Sequence, residues 1–299
     1  MSAGPPHDGG LSLYEHAKRL LRQHPDGPLP DQGRPFPDHV AYYGRDRSLL
    51  AGQAGARQTR TAIGAYFDGV SDYARLYRTL ALVDSCPSWY RLPSVLQPVT
   101  CDVDRGRLRD LGRRLVRTGE DRQPVQVGLA LLQGVAEPED LDCLSALAIL
   151  GDSFSPAVVE ILQRMPEPDM TLWWIARRTT EWARVYPVRA LCGTSRSVIK
   201  AWLLRHAVPG ESAPLPSYYA GTVAVSCDLR AAIQAPHPDE ALLDGAEAIL
   251  HAMNHAEGLG LGLRGYRDAV PVLRRFLQLR DSPPLRNALA QLLSAPPGT

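Results

Sequence analysis

The chain has 299 residues, of which 44% are hydrophobic and 22% charged, and its formal net charge is +1. These totals are typical of a globular protein with one large domain or two small ones. They argue against a chain dedicated to nucleic acid, which normally carries a clear excess of positive charge. Lysine occurs only at Lys18 and Lys200, and we attribute this arginine bias to a GC-rich genome rather than to phosphate binding.

The cysteine pattern indicates reduced thiols. Five cysteines are widely spaced without a CxxC pair, which matches neither a disulfide framework nor a zinc site. The first ten residues lack the features of a signal peptide, and no apolar run reaches the roughly 18 residues that a membrane span needs. We therefore expect a cytoplasmic protein with no membrane span and no cofactor. The cysteines are Cys86, Cys101, Cys143, Cys192 and Cys227.

Residues 1–45 are predicted to hold one helix and a proline-rich strap. Leu11 to Arg22 has leucines at helical spacing, whereas the prolines between Pro25 and Pro37 exclude helix and favour an extended segment. The strap can bind an aromatic groove on a partner, or it can pack on its own domain or act as a linker. The second interpretation is preferred.

Residues 46–100 are predicted to form a helical cap. Helices are expected at 54–70 and 73–83, and the proline- and aromatic-rich stretch 85–100 is expected to be a loop or a short irregular cap. Some polar side chains of this region can contact a ligand, although an exposed helix face explains them equally well. They are Arg57, Arg60, Tyr66 and Asp68.

Residues 101–299 are predicted to form short amphipathic helices joined by tight Pro and Gly turns, with no sustained β pattern. A break at 209–216 can separate two halves. The segments with helical spacing are 107–115, 125–132, 141–150, 158–165, 172–182, 198–203, 239–254, 266–280 and 284–293.

Helix starts near Asp104, Pro138 and Met170 recur at the roughly 30–40-residue period of helix-pair repeats. On the first six of these segments, from 107–115 to 198–203, the chain resembles the HEAT/armadillo-like superfamily of helical-repeat proteins, with coverage of residues 100–295. The resemblance implies an all-α protein, an irregular α-solenoid of stacked antiparallel helix pairs with a concave binding face. It implies no chemistry, and an irregular all-α bundle is the alternative.

An aromatic and basic cluster is the main candidate for a binding site. Met170 to Ala183 is predicted to be one helix with tryptophans and arginines opposite its apolar face, and Trp182 and Trp202 are expected in the core. Tryptophan with arginine is typical of interface hot spots and can also stack on bases. The predicted partner-binding residues are Trp173, Trp174, Arg177, Arg178 and Arg184.

Three further patterns are interpreted as structural. Arginines at positions 105, 109, 113 and 117 can bind phosphate, but nearby acidic residues dilute their field. Glu247, His251 and His255 have the spacing to share a metal, although a polar outward face explains them. Residues 260–265 match GxGxxG by letter, but a helix is predicted before them, whereas a dinucleotide fingerprint follows a strand.

These observations favour a non-catalytic helical-repeat scaffold that binds a protein or peptide on its concave face, since no catalytic motif is present. The alternative is a DNA-binding protein, because HEAT-like DNA glycosylases that excise alkylated bases are similar in size and architecture. That family holds DNA with tryptophan and an aspartate on a basic concave surface. Trp173, Trp174 and Trp182 with Asp169 resemble that arrangement loosely. A metal-dependent activity at Glu247, His251 and His255 is the third hypothesis.

Overall fold

The structure, a computed structural model, describes residues 10–37, 49–83, 88–209, 215–256 and 258–294, except for the side chains of 49–51. Within these ranges the regular secondary structure is entirely helical, without a β-strand. The predicted all-α class is therefore confirmed. Cys86, residues 38–45 of the predicted strap region and most of the predicted break at 209–216 lie outside the described residues.

The chain divides into two compact units, Met1–Ala183 and Arg184–Thr299. The boundary falls within helix α10 (Glu181–Leu191), inside the region 101–299 that the sequence analysis treats as one repeat region. The earlier helices are α1 (Leu13–Gln23), α2 (Leu49–Phe67), α3 (Tyr73–Ala81), α4 (Leu92–Thr100), α5 (Arg105–Thr118), α6 (Arg122–Leu132), α7 (Leu141–Ala148), α8 (Ser155–Leu162) and α9 (Asp169–Arg178). The later helices are α11 (Ser197–His206), α12 (Ala220–Ser226), α13 (Leu229–Gln234), α14 (Glu240–Asn254), α15 (Ala269–Leu279) and α16 (Pro283–Ser294).

Short polar side chains explain where several helices begin. The side chain of Ser12 accepts a hydrogen bond from the backbone N–H of Glu15 at 3.1 Å, and that of Asp239 accepts one from Leu242 at 2.7 Å. Each bond satisfies a backbone donor that has no partner within the helix. The predicted starts of α1 and α14 therefore lie within two residues of the observed ones.

Helix α6 lies at the centre of the first unit. It contacts α3, α4, α5 and α8, and nearly all of its residues are buried. Helices α5 and α6 approach closely because two glycines face each other: a Cβ on Gly128 would lie 3.0 Å from the carbonyl oxygen of Gly112. The apolar cluster around them includes Ile63, Leu76, Leu80, Leu96, Leu115 and Leu131.

The prediction of a loop or irregular cap at 85–100 is wrong for its last part, which forms α4. Pro93 occupies the first turn of this helix, where a missing N–H costs no hydrogen bond. Leu92 and Leu96, one turn apart, are both buried against the core. Burial of this apolar pair outweighs the low helix propensity of the prolines.

The strap packs on its own unit, as the preferred interpretation expects. Leu29 is buried, and the ring of Phe36 lies 6.2 Å from that of the fully buried Phe154. The Nε2 atom of His16 lies 2.7 Å from the carbonyl oxygen of Gly33, to which it donates. The strap also contains one short 3₁₀ turn, Pro30–Gly33.

The predicted helix from Met170 to Ala183 is two helices, because α9 ends at Arg178 and α10 begins at Glu181. The interruption resets the helical phase. Trp182, expected in the core, is instead 40% exposed. The prediction for Trp182 is therefore wrong, because the helical spacing that places it on the apolar face runs through this break. Trp202, also expected in the core, is half-buried.

Helix α14 lies at the centre of the second unit, where it contacts α11, α12, α13, α15 and α16. Gly245 permits the approach of α11, because a Cβ there would lie 2.0 Å from the carbonyl oxygen of Leu204. Gly221 plays the same part beside Leu261, whose carbonyl oxygen would lie 2.2 Å from an added Cβ. Both positions require glycine because there is no room for a side chain, and not because the backbone is left-handed.

Candidate functional site: the tryptophan–arginine face of helix α9

Helix α9 separates an apolar face from a face rich in tryptophan and arginine. Leu172, Ile175 and Ala176 are buried, as their spacing predicts. On the other side Trp173 and Trp174 are half-buried, and Met170 is 48% exposed. We call Met170, Trp173, Trp174, Arg177 and Arg178 the Trp–Arg surface.

Each tryptophan of this surface carries an arginine one helical turn later. The guanidinium carbon of Arg177 lies 5.5 Å from the ring centre of Trp173, and that of Arg178 lies 4.7 Å from the ring centre of Trp174. Such cation–π contacts contribute about 0.5–1 kcal/mol each at exposed sites. The stacking also orders two long side chains.

The two arginines differ in their remaining contacts. Arg177 is exposed, whereas the Nη2 atom of Arg178 donates a hydrogen bond to the carbonyl oxygen of Pro25 in the strap. The strap makes a second contact with this region, in which Nε2 of Gln32 donates a hydrogen bond to Oε2 of Glu181 at 2.7 Å. The sequence analysis missed this role of the strap, since no local pattern links residues about 150 positions apart.

Arg184 belongs to the second unit, so we describe it apart from the Trp–Arg surface. Its Nε atom donates to the carbonyl oxygen of Ala207 at 3.2 Å, and its Nη2 atom donates to that of His206. Its guanidinium carbon lies 5.6 Å from the ring centre of Trp202. The side chain thus binds carbonyls at the end of α11, where a cation is favoured by the helix dipole.

The arginine stripe of α5 is held by internal contacts. Nε of Arg113 donates to Oδ1 of the buried Asp140 at 2.6 Å, and Arg109 pairs with Glu137. Arg117 donates to the carbonyl oxygen of Glu139 at 2.9 Å. Hydrogen bonding to Asp140 raises the pKa of Arg113. Acceptors of the same unit therefore already bind at least one donor of each of these three arginines.

The metal hypothesis gains no support within the described part of the chain, where no group of three or more potential ligands is placed to hold a metal ion. Nε2 of His251 lies 3.8 Å from Oε1 of Glu247, and His255 is the exposed residue that follows α14. A guanidinium occupies the position that a cation would take. Arg280 pairs with three carboxylates of α14: Glu240, Asp244 and Glu247.

The GxGxxG letters at 260–265 lie in the connection between α14 and α15, which includes the 3₁₀ turn Leu263–Gly265. A helix precedes them, as predicted. A Cβ on Gly260 would lie 2.3 Å from the carbonyl oxygen of Ser217. This glycine therefore serves a close backbone contact.

The remaining candidates are scattered. Arg57 and Arg60 are exposed on α2, and Asp68 is exposed in the turn after it. The ring of Tyr66 packs edge-on against Phe67 at 5.5 Å. Asp169 is the first residue of α9, where a carboxylate complements the helix dipole.

We expect the described cysteines to differ in the rate at which their thiols react. Cys101 is exposed, whereas burial raises the pKa of Cys143 to about 12, of Cys192 to about 11 and of Cys227 to about 12. Because the thiolate is the reactive form, iodoacetamide at neutral pH should label Cys101 at least about tenfold faster than the other three. Peptide mass spectrometry measures the rates, and labelling in denaturant is the control. Equal rates in the native protein would contradict the described burial.

No protein family, curated protein or solved structure matches the chain. The resemblance to HEAT/armadillo-like proteins therefore stays a prediction. Among the described residues, no helix combines the length and the apolar character that crossing a membrane requires.

Proposed function

We propose that the chain is a non-catalytic helical-repeat scaffold that binds a protein or peptide through the Trp–Arg surface. The observation that carries the proposal is the stacking of Arg177 on Trp173 and of Arg178 on Trp174, on the partly exposed side of α9. Tryptophan and arginine are the residues that most often dominate interface energies. Side chains that are already ordered lose less freedom when a partner docks.

The architecture that we propose is an irregular α-solenoid of stacked antiparallel helix pairs. Its support is that helices adjacent in sequence contact each other, as α2 does α3, α5 does α6, α7 does α8 and α15 does α16. In a solenoid each pair leaves one face open to a partner. We further propose a cytoplasmic location, because the described cysteines are free thiols.

A protein partner is favoured over nucleic acid by the contacts of α5. Arg109 and Arg113 are paired with Glu137 and Asp140, and the net charge of the whole chain is +1. Binding to nucleic acid draws most of its free energy from unneutralised basic groups that displace counterions from phosphates. The Trp–Arg surface, in contrast, contributes aromatic area as well as charge.

The double variant Trp174→Ala/Arg177→Glu is expected to retain less than about a tenth of the partner that the wild type captures, because truncating a hot spot costs about 2 kcal/mol or more. The full chain serves as bait in a nuclease-treated lysate, and quantitative mass spectrometry measures what is captured. Circular dichroism checks that the variant remains helical.

The matched control is Tyr90→Ala/Arg91→Glu, which removes another aromatic–arginine pair from the same unit. Tyr90 is 62% exposed, and the guanidinium carbon of Arg91 lies 6.0 Å from its ring centre. This control should capture the partner as the wild type does. Equal loss in both variants would reject the Trp–Arg surface as the site, and recovery of nucleic acid alone from untreated lysate would favour the DNA-binding alternative.

A further inference from the structure

The Trp–Arg surface already binds a proline-containing segment, the start of the chain's own strap, which bends at Gly27 with φ 77°. Arg178, stacked on Trp174, donates a hydrogen bond to the carbonyl oxygen of Pro25. Further along the strap, Leu29 has φ −70° and ψ 140°, and Arg34 has φ −79° and ψ 157°. These angles belong to the polyproline II conformation, in which backbone carbonyls lack internal hydrogen bonds and accept them from outside.

The contact between Arg178 and the strap leaves polar atoms unsatisfied. Nη1 of Arg178 is buried and has no hydrogen-bond partner among the residues that the structure describes, and the same holds for Oε1 of Gln32. A buried donor or acceptor without a partner is destabilising. The guanidinium that holds Pro25 therefore has a second donor for a ligand with another suitably placed carbonyl.

Backbone strain accompanies the docked strap. Asp31 has φ 46° and Gln32 has φ 57°, and Glu181, to which Gln32 donates, has φ 50°. None of these residues is glycine, so each is held in a disfavoured left-handed conformation by its surroundings. The contact between Gln32 and Glu181 therefore joins two strained residues close to the segment that Arg178 holds.

The strap is anchored unevenly. Its first residues, Pro25 to Pro28, are exposed, whereas Leu29 is buried and Phe36 packs against Phe154. The first part can therefore leave Arg178 while the anchors that follow stay in place. A segment of another chain that displaces it needs an accessible backbone carbonyl for Arg178, as Pro25 provides.

We propose that Trp174 and Arg178 form a docking site for an extended proline-rich segment of another protein, which displaces residues 25–28 of the strap. An aromatic ring beside a hydrogen-bond donor is the usual chemistry that recognises polyproline II segments. The inference rests on the proposed function and names the class of its partner. The strap competes with that partner within the same chain, so it also lowers the apparent affinity.

The test uses a fluorescent peptide with the sequence of residues 24–37 and measures its binding to the full chain by anisotropy. Leu29→Ala removes a strap anchor and should bind the peptide at least about tenfold more tightly than the wild type, because the competing segment is released. Phe36→Ala removes another anchor and should do the same. Adding Arg178→Ala to Leu29→Ala should abolish the gain.

Two controls make the result specific. Adding Arg91→Ala to Leu29→Ala should preserve binding, since Arg91 lies beside Tyr90 outside the Trp–Arg surface, whereas Arg178 makes the hydrogen bond to Pro25. A peptide with alanine in place of Pro25, Pro28 and Pro30 keeps its charges, and we expect it to bind at least about tenfold more weakly because it loses the preformed extended conformation.

Absence of peptide binding in both anchor variants, with their helical content intact, would overturn the inference. Equal binding of the alanine peptide would also overturn it, because the site would then recognise charge rather than a proline-rich backbone. The capture experiment separates the two proposals. If Trp174→Ala/Arg177→Glu loses the captured partner but the anchor variants do not bind the peptide, the scaffold proposal is retained. Only the proposed class of partner is then rejected.

Discussion

Replacing Phe154 by alanine is expected to lower the free energy of unfolding of the first unit by about 4 kcal/mol. The side chain is completely buried just before α8, and its ring lies 6.2 Å from that of Phe36. Truncation removes the transfer free energy of the ring and leaves a cavity that the surrounding helices fill only partly. The strap should loosen as well, because Phe36 loses its neighbour.

Urea unfolding followed by tryptophan fluorescence measures this loss. The signal reports mainly on the first unit, because Trp202 is the single tryptophan beyond residue 183. Phe154→Leu should lose less than Phe154→Ala because it leaves a smaller cavity. Tyr90→Ala, at a 62% exposed position, should stay within about 0.5 kcal/mol of the wild type. A loss in Phe154→Ala no larger than in Tyr90→Ala would contradict the packing of this ring.

Replacing Gly245 by alanine is expected to destabilise the second unit by about 3 kcal/mol. Within an exposed helix the same change normally stabilises by about 0.5–1 kcal/mol. Here the sign reverses, because the added Cβ would lie 2.0 Å from the carbonyl oxygen of Leu204 and 2.7 Å from Cα of Arg205. Both are backbone atoms, so relief requires α11 and α14 to move apart.

Hydrogen exchange measured by mass spectrometry locates this effect. Peptides from α11 and α14 should lose protection in Gly245→Ala, while those from α5 and α6 should not change. Gly193→Ala is the matched control in the same unit, since its nearest neighbour would be the carbonyl oxygen of Ala190 at an ordinary 3.7 Å. Unchanged protection of α11 in Gly245→Ala would show that the two helices are not in such close contact.

Local sequence signals located most helices. The helix predicted at 239–254 is observed at Glu240–Asn254, where Asp239 caps its first turn. The same reasoning separated the apolar side of α9 from its tryptophan–arginine side, as the burial of Leu172 and Ile175 confirms. Helical spacing and capping act over a few residues, so a single sequence contains what they need.

The errors have a common origin in the tertiary structure. The helical phase of Trp182 depends on the break after Arg178, and residues 92–100 become helical because Leu92 and Leu96 are buried against the core. The spacing of apolar residues shows neither the change of helical phase after Arg178 nor the burial of Leu92 and Leu96. Both are decided by contacts with other helices, which override weak local propensity.

The candidate site was predictable in its residues but not in its contacts. Spacing alone placed Trp173, Trp174, Arg177 and Arg178 together, whereas nothing local indicated that Arg178 binds the carbonyl of Pro25. Composition groups Arg184 with them, yet its side chain binds carbonyls at the end of α11. Composition identifies residue types suited to an interface without showing which groups already have partners.

The sequence by itself determined the all-α class, the position of most helices and the apolar face of helices such as α9 and α14, because periodicity and capping are local properties. Only the tertiary structure decided which charged and polar groups are occupied, as Arg113 is by Asp140 and Arg280 by Glu247. These pairs join residues that are 27 and 33 positions apart. Their formation depends on how helices pack, and packing follows from the sum of many weak contacts across the chain.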